Sequence, residues 1–350
     1  MLGRIVLSVL AVSVALGQTG ESAAQSAPAA RQQSEPGASQ PEIRVQVNEV
    51  IVPVTVTDEK GRFVSDLDVG DFQIFDDGKP QTIKFFSRER NQPVVVGFLI
   101  DQSNASRIHW KTYKDAIQEL IWALLPHDDK FSGYLISYST DAELLANTTN
   151  DPEKLVEKVR TMKPGGGAAL FDAVYMACTS RALVKGEPIE PRRVIVIVGD
   201  GHDTSSKHTM AEVVELAQRN LVTIYGVSTV AFGFNVQGEK NLTRLAEETG
   251  GRVEYPLQGV YSDVSGYLST PSDEGNYALK VGTGGYAAAI AKGIFEAVAN
   301  VTGEVTTQYV IRYVPEAGDV SRQFRRIEVK VPALPGVVIR ARKGYYPYEL

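Results

Sequence analysis

The stretch VVVGFLIDQSNAS, residues 94–106, decides the fold predicted for this chain. Its first seven residues form a continuous apolar run in which several side chains are β-branched. A short run of this kind is typical of a strand buried on both faces, at the centre of a parallel sheet. The run ends at Asp101, and small polar side chains follow it. Because ligands of open α/β sheets bind beyond the carboxyl ends of central strands, we expect a site near Asp101.

A second run, RVIVIVGDG at residues 193–201, repeats the pattern of a buried strand followed by an acidic residue and glycine. If the two strands are parallel neighbours, Asp101 and Asp200 lie at the same edge of the sheet. Carboxylates together with nearby hydroxyls are oxygen ligands that suit a hard cation such as magnesium. The sequence therefore predicts an electronegative, oxygen-lined edge at these two aspartates.

Strand and helix patterns alternate between residues 93 and 302, which predicts an α/β fold with a doubly wound, mostly parallel sheet. The predicted helices lie over 110–125, from Asp151 onward, from about Ala169 onward, and over 209–219, 239–249 and 286–301. The further predicted strands lie over 130–138, 144–146, 222–227 and 252–255.

Strand patterns also flank this α/β region on both sides, with hairpin turn signals such as Asp77-Gly78. The flanking segments are 50–57, 72–75 and 82–86 before it, and 306–314, 324–331 and 337–341 after it. We expect these strands to pair in one antiparallel β-sandwich, built from both ends of the chain, into which the α/β domain is inserted. Two small separate sheets are the alternative, although each would have a small core.

The Asp-x-Ser end of the first strand, a later glycine-rich segment and the strand ending in Asp-Gly resemble the von Willebrand factor type A domain. They resemble in particular its metal-ion-dependent adhesion site. In that family an Asp, two Ser, a Thr and a second Asp hold the metal. The resemblance places these positions on Asp101, Ser103, Ala105, Ala168 and Asp200. Two of the five are alanine here, so two hydroxyl ligands are missing.

The resemblance implies a degenerate adhesion site in which Asp101, Ser103 and Asp200 hold Mg²⁺ or Mn²⁺. Magnesium tolerates several waters in its coordination shell, so water can stand in for missing ligands. Polar neighbours are candidates to compensate: Asn104, Ser106, Asp172, Asp203 and His202. The alternative is a vestigial edge without metal, whose buried carboxylates are satisfied by backbone N–H groups.

The resemblance extends to the flanking strands. VTDEKG at 56–61 and DFQIFDDG at 71–78 look like the beginning of secreted, acidobacterial-type proteins related to this domain. QYVIRYVP at 308–315 and RARKGYYP at 340–347 look like their ending. The resemblance therefore covers most of the chain after residue 42.

The first residues predict export. Arg4 precedes an apolar run at 5–16, and small residues follow it, as in a signal peptide over 1–24. Residues 25–41 are rich in Ala, Ser, Gln and Pro and predict a disordered linker. Beyond it we expect N-terminal sandwich strands at 42–92, the type A domain at 93–302 and C-terminal sandwich strands at 303–350. No other stretch approaches the length of a membrane span, so the periplasm, the cell surface or the medium is the expected location.

A long segment, residues 256–285, interrupts the alternation of strands and helices. It is rich in Gly, Ser and Asp and carries Tyr261, Tyr267 and Tyr277. Long loops in compact domains are usually functional or disordered, and tyrosine is enriched at protein interfaces. A partner-binding loop and a disordered insertion both remain open.

Enzymatic interpretations find little support in the sequence, which has no Gly-x-Ser-x-Gly elbow, His-Glu-x-x-His motif, Walker loop or dinucleotide fingerprint. A hydrolase using Ser103 would need a base from only four histidines. His202 and His208 would need a third ligand to hold zinc, so solvated loop histidines are favoured. Cys178 is the only cysteine and is expected to be a buried, inert thiol.

The overall composition, 43% hydrophobic and 22% charged, is that of an ordinary globular protein. The formal net charge of −6, with no broadly basic domain, argues against a nucleic-acid partner. The basic segment at 340–343 is expected to alternate along an exposed sheet face. The sequence thus favours an exported, non-enzymatic, adhesion-type module that binds a protein ligand. A metal-independent envelope scaffold is the alternative, and a serine hydrolase is the less favoured one.

Overall fold

A computed structural model of the chain describes residues 49–88, 93–107, 110–180, 192–230, 236–257, 283–315 and 323–347. The predicted signal peptide, the linker and most of the loop predicted at 256–285 lie outside these described residues. The described strands are β1 (Val50–Thr57), β2 (Gln73–Asp76), β3 (Lys79–Gln81), β4 (Ile83–Ser87), β5 (Val94–Asp101), β6 (Phe131–Tyr138), β7 (Ala142–Thr149), β8 (Arg192–Gly199), β9 (Val222–Ser228), β10 (Val253–Glu254), β11 (Tyr309–Tyr313), β12 (Arg325–Lys330), β13 (Val338–Ala341) and β14 (Gly344–Tyr345).

The described α-helices are α1 (Trp110–Leu124), α2 (Pro152–Thr161), α3 (Leu170–Thr179), α4 (Met210–Arg219), α5 (Val236–Thr249) and α6 (Thr283–Thr307). Two short 3₁₀ turns, Val69–Asp71 and Asn104–Arg107, are also present. None of the helices in the described ranges is both long and apolar enough to cross a membrane.

Six strands form the central sheet in the order β10-β9-β8-β5-β6-β7. β7, at one edge, is antiparallel to β6, and the other neighbouring pairs are parallel. β5 lies inside the sheet and pairs along its length with both β6 and β8. The predicted α/β fold with a doubly wound, mostly parallel sheet is therefore confirmed, although the edge strand predicted at 144–146 is longer than expected.

Side chains of β5 alternate between two hydrophobic cores. Val96, Phe98 and Ile100 pack in the core that includes residues of α1, α2 and α6. Val95 and Leu99 pack in the core on the other face, with residues of α3, α4 and α5. A strand covered by helices on both faces must be apolar at every position, which is why the run before its final aspartate has no polar residue.

Local capping interactions set the start of two helices at the predicted positions. Asp151 accepts a hydrogen bond from the backbone N–H of Glu153 at 3.1 Å, and Pro152 occupies the first turn of α2. Thr209 and Glu212 form a capping box at the start of α4, in which each side chain accepts from the other residue's backbone N–H.

The remaining strands form two four-stranded antiparallel sheets in the orders β13-β1-β11-β4 and β14-β12-β2-β3. Each sheet combines strands that precede the α/β region with strands that follow it, since β1 pairs with β11 and β13, and β2 pairs with β12. Val52 and Ile311 of the first sheet and Ile74 and Ile327 of the second share one hydrophobic core. The predicted pairing of N-terminal with C-terminal strands in a sandwich is confirmed.

A buried carboxylate near the end of α6 joins the sandwich to the α/β domain. Glu304 is fully buried, accepts a hydrogen bond from the Thr55 hydroxyl at 3.0 Å and accepts another from Arg340 at 2.9 Å. The Nε of Arg252 lies 3.0 Å from Oε2 of Glu304, the oxygen that also accepts from Arg340. Because two guanidinium groups and a hydroxyl face the same carboxylate, the charge is paired despite its burial.

Two predictions for the C-terminal region are wrong. The strand predicted over 306–314 begins only at Tyr309, because α6 continues into this segment. The segment 340–343 does not form an exposed sheet face, since Arg342 is 2% exposed and donates a hydrogen bond to the carbonyl of Leu221 at 2.9 Å. Alternation along a strand does not reveal that the α/β domain covers the polar side.

Candidate functional site

Asp101 ends β5 and Asp200 follows β8, and these strands are parallel neighbours. The two carboxylates therefore lie at the same edge of the central sheet. Asp101 is 1% exposed and Asp200 is 7% exposed. Oδ1 of Asp101 accepts a hydrogen bond from the backbone N–H of Ser103 at 2.7 Å. Asp101, Ser103 and Asp200 together are called the carboxylate edge below.

The environment of the carboxylate edge disfavours the ionised form of Asp101. Burial, and then the negative charge of Asp200, raises the pKa of Asp101 to about 6. The backbone N–H of Ser103 and the hydroxyls of Ser103 and Ser106 lie close enough to lower this pKa, but their effect is smaller. Desolvation and a like charge both disfavour the ionised form, whereas a cation at the same place would favour it.

Several buried oxygen atoms at this edge make no hydrogen bond within the part of the chain that the structure describes. They are Oδ2 of Asp101, the hydroxyls of Ser103 and Ser106, and the phenol oxygen of Tyr138. Buried polar atoms in proteins are nearly always hydrogen-bonded, to protein, to water or to an ion. A cluster of such atoms beside two carboxylates therefore indicates a place where a ligand supplies the missing partner.

Tyr138 lies beside Asp101, and the sequence analysis missed it. It ends β6 and pairs in register with Asp101. A Cβ at Gly199 would collide with the phenol oxygen of Tyr138 and lie 2.7 Å from Cβ of Asp101, so only glycine leaves room there. Burial, and then the charges of Asp101 and Asp200, raises the pKa of Tyr138, which keeps the phenol neutral. The sequence signal that could have identified Tyr138 is its position at the end of the predicted strand 130–138, which lies next to β5 in the sheet.

The glycine loop at 165–167 packs against the turn that follows Asp101. It donates a hydrogen bond to the carbonyl of Gln102 at 2.7 Å and accepts one from the N–H of Asn104 at 3.1 Å. Ala168 follows this loop and is buried, and its backbone exchanges hydrogen bonds with Thr204. At position 168, where the family's adhesion site has threonine, this chain thus has only a methyl group. The backbone of Ala168 is held in place by its hydrogen bonds with Thr204.

Asp203 and Asp172 are both engaged in holding the loop after Asp200 onto the first turn of α3. Asp203 accepts hydrogen bonds from the N–H of Phe171 at 2.9 Å and from the hydroxyl of Ser206 at 2.5 Å. Asp172 accepts from the N–H of His208 at 3.1 Å. Burial acts to raise the pKa of Asp172, but hydrogen bonds from His208 and the loop backbone lower it overall. These carboxylates serve the loop rather than the carboxylate edge.

Both histidines of this loop contact carboxylates, and the side chain of His202 is 44% exposed. Nδ1 of His202 lies 2.8 Å from Oδ2 of Asp200, and Nδ1 of His208 lies 2.7 Å from Oδ1 of Asp172. The ring of His208 also stacks on Tyr175, with 3.6 Å between the centroids. Among the described residues, no three His, Cys, Asp or Glu side chains converge as metal ligands would.

The other predicted site residues differ in exposure. Asn104 and Ala105 are exposed in the 3₁₀ turn Asn104–Arg107, whereas Ser106 of the same turn is 3% exposed. Ser103, just before the turn, is equally buried. The predicted partner-binding tyrosines, Tyr261, Tyr267 and Tyr277, lie outside the described residues.

The donor chemistry of the carboxylate edge fits a hard divalent cation. Asp101 offers a carboxylate oxygen, and Ser103 and Ser106 offer hydroxyls, all without a hydrogen-bond partner in the described residues. Asp200 adds a second carboxylate, whose Oδ1 accepts a hydrogen bond from the backbone N–H of His202 and whose Oδ2 lies beside its ring. Magnesium is bound by one or two carboxylates and keeps several waters, so alanine at two of the family's ligand positions leaves enough donors.

Comparison with solved structures gives distant similarities. BatB from Bacteroides thetaiotaomicron is 19% identical, with 46% of this chain and 88% of that chain covered and a TM-score of 0.36. The vWF domain of the type V pili tip protein Mfa5 from Porphyromonas gingivalis is 24% identical, covering 31% of this chain and 38% of that chain, with a TM-score of 0.29. Proximal thread matrix protein 1 from the mussel byssus, solved with a zinc occupied MIDAS motif, is 12% identical, covering 48% of this chain and 43% of that chain, with a TM-score of 0.37. The chain thus spans less than half the length of the last two.

No curated protein matches the chain. The family assignment rests on the sequence of the chain and not on these structural similarities. Residues 96–258 match the sequence model of the von Willebrand factor type A domain. This range begins within β5 and contains β6 to β10. It includes both aspartates of the carboxylate edge. Residues 96–258 of this chain are therefore a von Willebrand factor type A domain.

Proposed function

We propose that this type A domain is a non-enzymatic, adhesion-type module that binds a protein ligand at its carboxylate edge. Type A domains are typically interaction modules rather than enzymes. The observation that carries the proposal is the group of buried, unpartnered oxygens around Asp101. Such atoms are costly in a merely structural role, but they suit a site that is completed by a ligand.

The cofactor of this proposal is Mg²⁺ or Mn²⁺, held by Asp101, Ser103 and Asp200. When bound, the cation supplies a positive charge that an acidic side chain of the partner protein can meet. Without it, the edge carries two carboxylates and would prefer a basic or neutral surface. The charge of the partner thus depends on whether the cation is present, and this difference can be measured.

A metal-independent scaffold in the cell envelope is the second candidate. It is favoured by one observation, namely that Nδ1 of His202 already faces the Asp200 carboxylate. Partner binding would then be insensitive to chelators. A hydrolase based on Ser103 is the weakest candidate, because the hydroxyl of Ser103 has no hydrogen-bond partner among the described residues and therefore no positioned base there.

We also propose export and a domain order for the whole chain. The apolar run at 5–16 supports a signal peptide over 1–24, followed by a linker over 25–41. The type A domain is proposed to extend over 93–302, and the sandwich strands over 42–92 and 303–350. The pairing of strands from both flanks supports this insertion. In this arrangement the sandwich carries the binding domain outside the cytoplasm.

Calorimetric titration of MgCl₂ and MnCl₂ into chelator-treated protein tests the cofactor. We expect heat and a raised unfolding temperature for the unmodified chain, neither for Asp101→Ala, and no change for Asp115→Ala. Asp115 is a matched control because its carboxylate is exposed on α1. If the unmodified chain shows no heat and no thermal shift, the cation is excluded.

Pull-down from an envelope extract, with and without chelator, then tests the ligand. Capture that is lost in chelator and in Asp101→Ala supports the cation-dependent edge, whereas capture indifferent to both supports the scaffold. Ester or peptide hydrolysis that disappears in Ser103→Ala would overturn the non-enzymatic assignment.

A further inference from the structure

The turn after Asp101 determines which serine hydroxyls lie on the same side as the carboxylate edge. Residues Asn104–Arg107 form a 3₁₀ turn, and the N–H of Ser106 bonds to the carbonyl of Ser103 at 3.3 Å. A 3₁₀ turn has three residues per turn, so side chains at i and i+3 lie on the same side. Ser103 and Ser106 are therefore brought together.

Burial follows this geometry. Ser103 and Ser106 are each 3% exposed, whereas Asn104 and Ala105 between them are exposed. Residue 105, the position at which the family resemblance places its second serine, lies on the solvent side of the turn. A hydroxyl added there would face away from Asp101.

The hydroxyl of Ser106 is available to bind a cation. It is buried and makes no hydrogen bond in the described part of the chain. The backbone N–H of Ser106 also bonds to the carbonyl of Ser103, which keeps Ser106 beside the other buried serine of this edge.

We propose that Ser106, one position later than the family pattern, supplies the second hydroxyl for the divalent cation at the carboxylate edge. This inference rests on the proposed function, since it names a further ligand of the same site. In this proposal the second hydroxyl donor is present, but at position 106 instead of position 105. Together with Asp101, Ser103 and Asp200 it gives a donor set of two carboxylates and two hydroxyls, which suits Mg²⁺ or Mn²⁺.

Calorimetric titration of MnCl₂ into the chelator-treated full chain distinguishes the two positions. Ser106→Ala is expected to weaken Mn²⁺ binding at least about tenfold. Ala105→Ser is expected to leave it within about twofold, and the double variant Ala105→Ser/Ser106→Ala is expected to bind as weakly as Ser106→Ala alone. Unfolding in chelator serves as the folding control, where Ser106→Ala should be at least as stable as the unmodified chain because an unpartnered hydroxyl is removed.

A change of metal preference provides a second readout that does not depend on loss of binding. Ser106→Cys places a soft sulfur ligand at the edge, so binding should shift from Mg²⁺ toward Cd²⁺. The thiolate–Cd²⁺ absorption band should appear in this variant. The matched variant Ala105→Cys, on the solvent side of the turn, should show neither the shift nor the band at the same Cd²⁺ concentration.

The titrations separate the role of Ser106 from the existence of the cation site. Unchanged Mn²⁺ affinity in Ser106→Ala overturns the role of Ser106 but leaves the cation site standing. Restored affinity in the double variant overturns it as well, because position 105 would then be the donor. If the unmodified chain binds neither Mg²⁺ nor Mn²⁺, the proposed cofactor and this inference fall together.

Discussion

Replacing Asp101 by asparagine is expected to stabilise the metal-free protein at neutral pH. The native environment raises the pKa of this carboxyl from 3.8 to about 6, because of burial and then of the Asp200 charge. Asparagine keeps an oxygen that can accept the hydrogen bond from the N–H of Ser103, but it has no charge to desolvate. The substitution thus removes the unfavourable part of the site and keeps the favourable one.

The magnitude follows from the two pKa values. Between pH 3.8 and about 6 the native state holds a proton that the unfolded chain has lost, so stability falls as pH rises through this window. At about 1.36 kcal/mol per pH unit, the full effect is about 3 kcal/mol, which is present at pH 7 and absent below about pH 4. Asp101→Asn should therefore gain up to about 3 kcal/mol at pH 7 and close to nothing near pH 3.5.

Urea unfolding followed by circular dichroism, in chelator at both pH values, measures this difference. Asp115→Asn on the exposed face of α1 is the control and should change stability by less than about 0.5 kcal/mol at either pH. A gain of equal size at pH 7 and pH 3.5 would show that charge is not the cause. A loss of stability at pH 7 would refute the reasoning, since the ionised carboxylate would then be stabilising even without a cation.

Other substitutions probe the rest of the framework. Glu304→Ala should cost about 3–5 kcal/mol in urea unfolding, because it leaves the partly buried guanidinium groups of Arg340 and Arg252 without their shared carboxylate, and a loss below about 1 kcal/mol would contradict this. Gly199→Ala should cost about 1–3 kcal/mol by crowding Tyr138, and Tyr138→Phe should recover part of that loss in a double-mutant cycle; strictly additive effects would argue against the contact. Thr209→Ala should cost about 1 kcal/mol through loss of the α4 cap, whereas Thr209→Ser should be nearly neutral in the same assay.

The elements that the sequence predicted well are those fixed by local chemistry or by burial on both faces. β5 and β8 are apolar throughout because helices cover both sides of the sheet, so their position can be read without knowing their neighbours. The starts of α2 and α4 follow from Asp151 and Thr209, whose side chains bond to N–H groups only two or three residues away. Long-range contacts are not needed for either inference.

Features that depend on distant contacts were not predictable in this way. Arg342 looks like a surface residue until the carbonyl of Leu221, more than a hundred positions away, accepts its hydrogen bond. Tyr138 became part of the site only through the register of β6 against β5. The position of the second hydroxyl, at Ser106 rather than Ala105, depends on whether the turn is 3₁₀ or α-helical, which composition does not decide.

The sandwich and the carboxylate edge occupy opposite ends of the parallel strands. Contacts with the sandwich and its junction come from Arg192, Leu221 and Arg252, which begin or precede β8, β9 and β10. Asp101 and Asp200 lie at the other ends of β5 and β8, and a strand of eight residues spans about 26 Å. The chain enters the domain at the start of β5 and leaves it after α6, both at the sandwich end. In the domain order proposed above, the carboxylate edge therefore lies at the end of the central sheet opposite the contacts with the sandwich, and the proposed protein ligand would bind there.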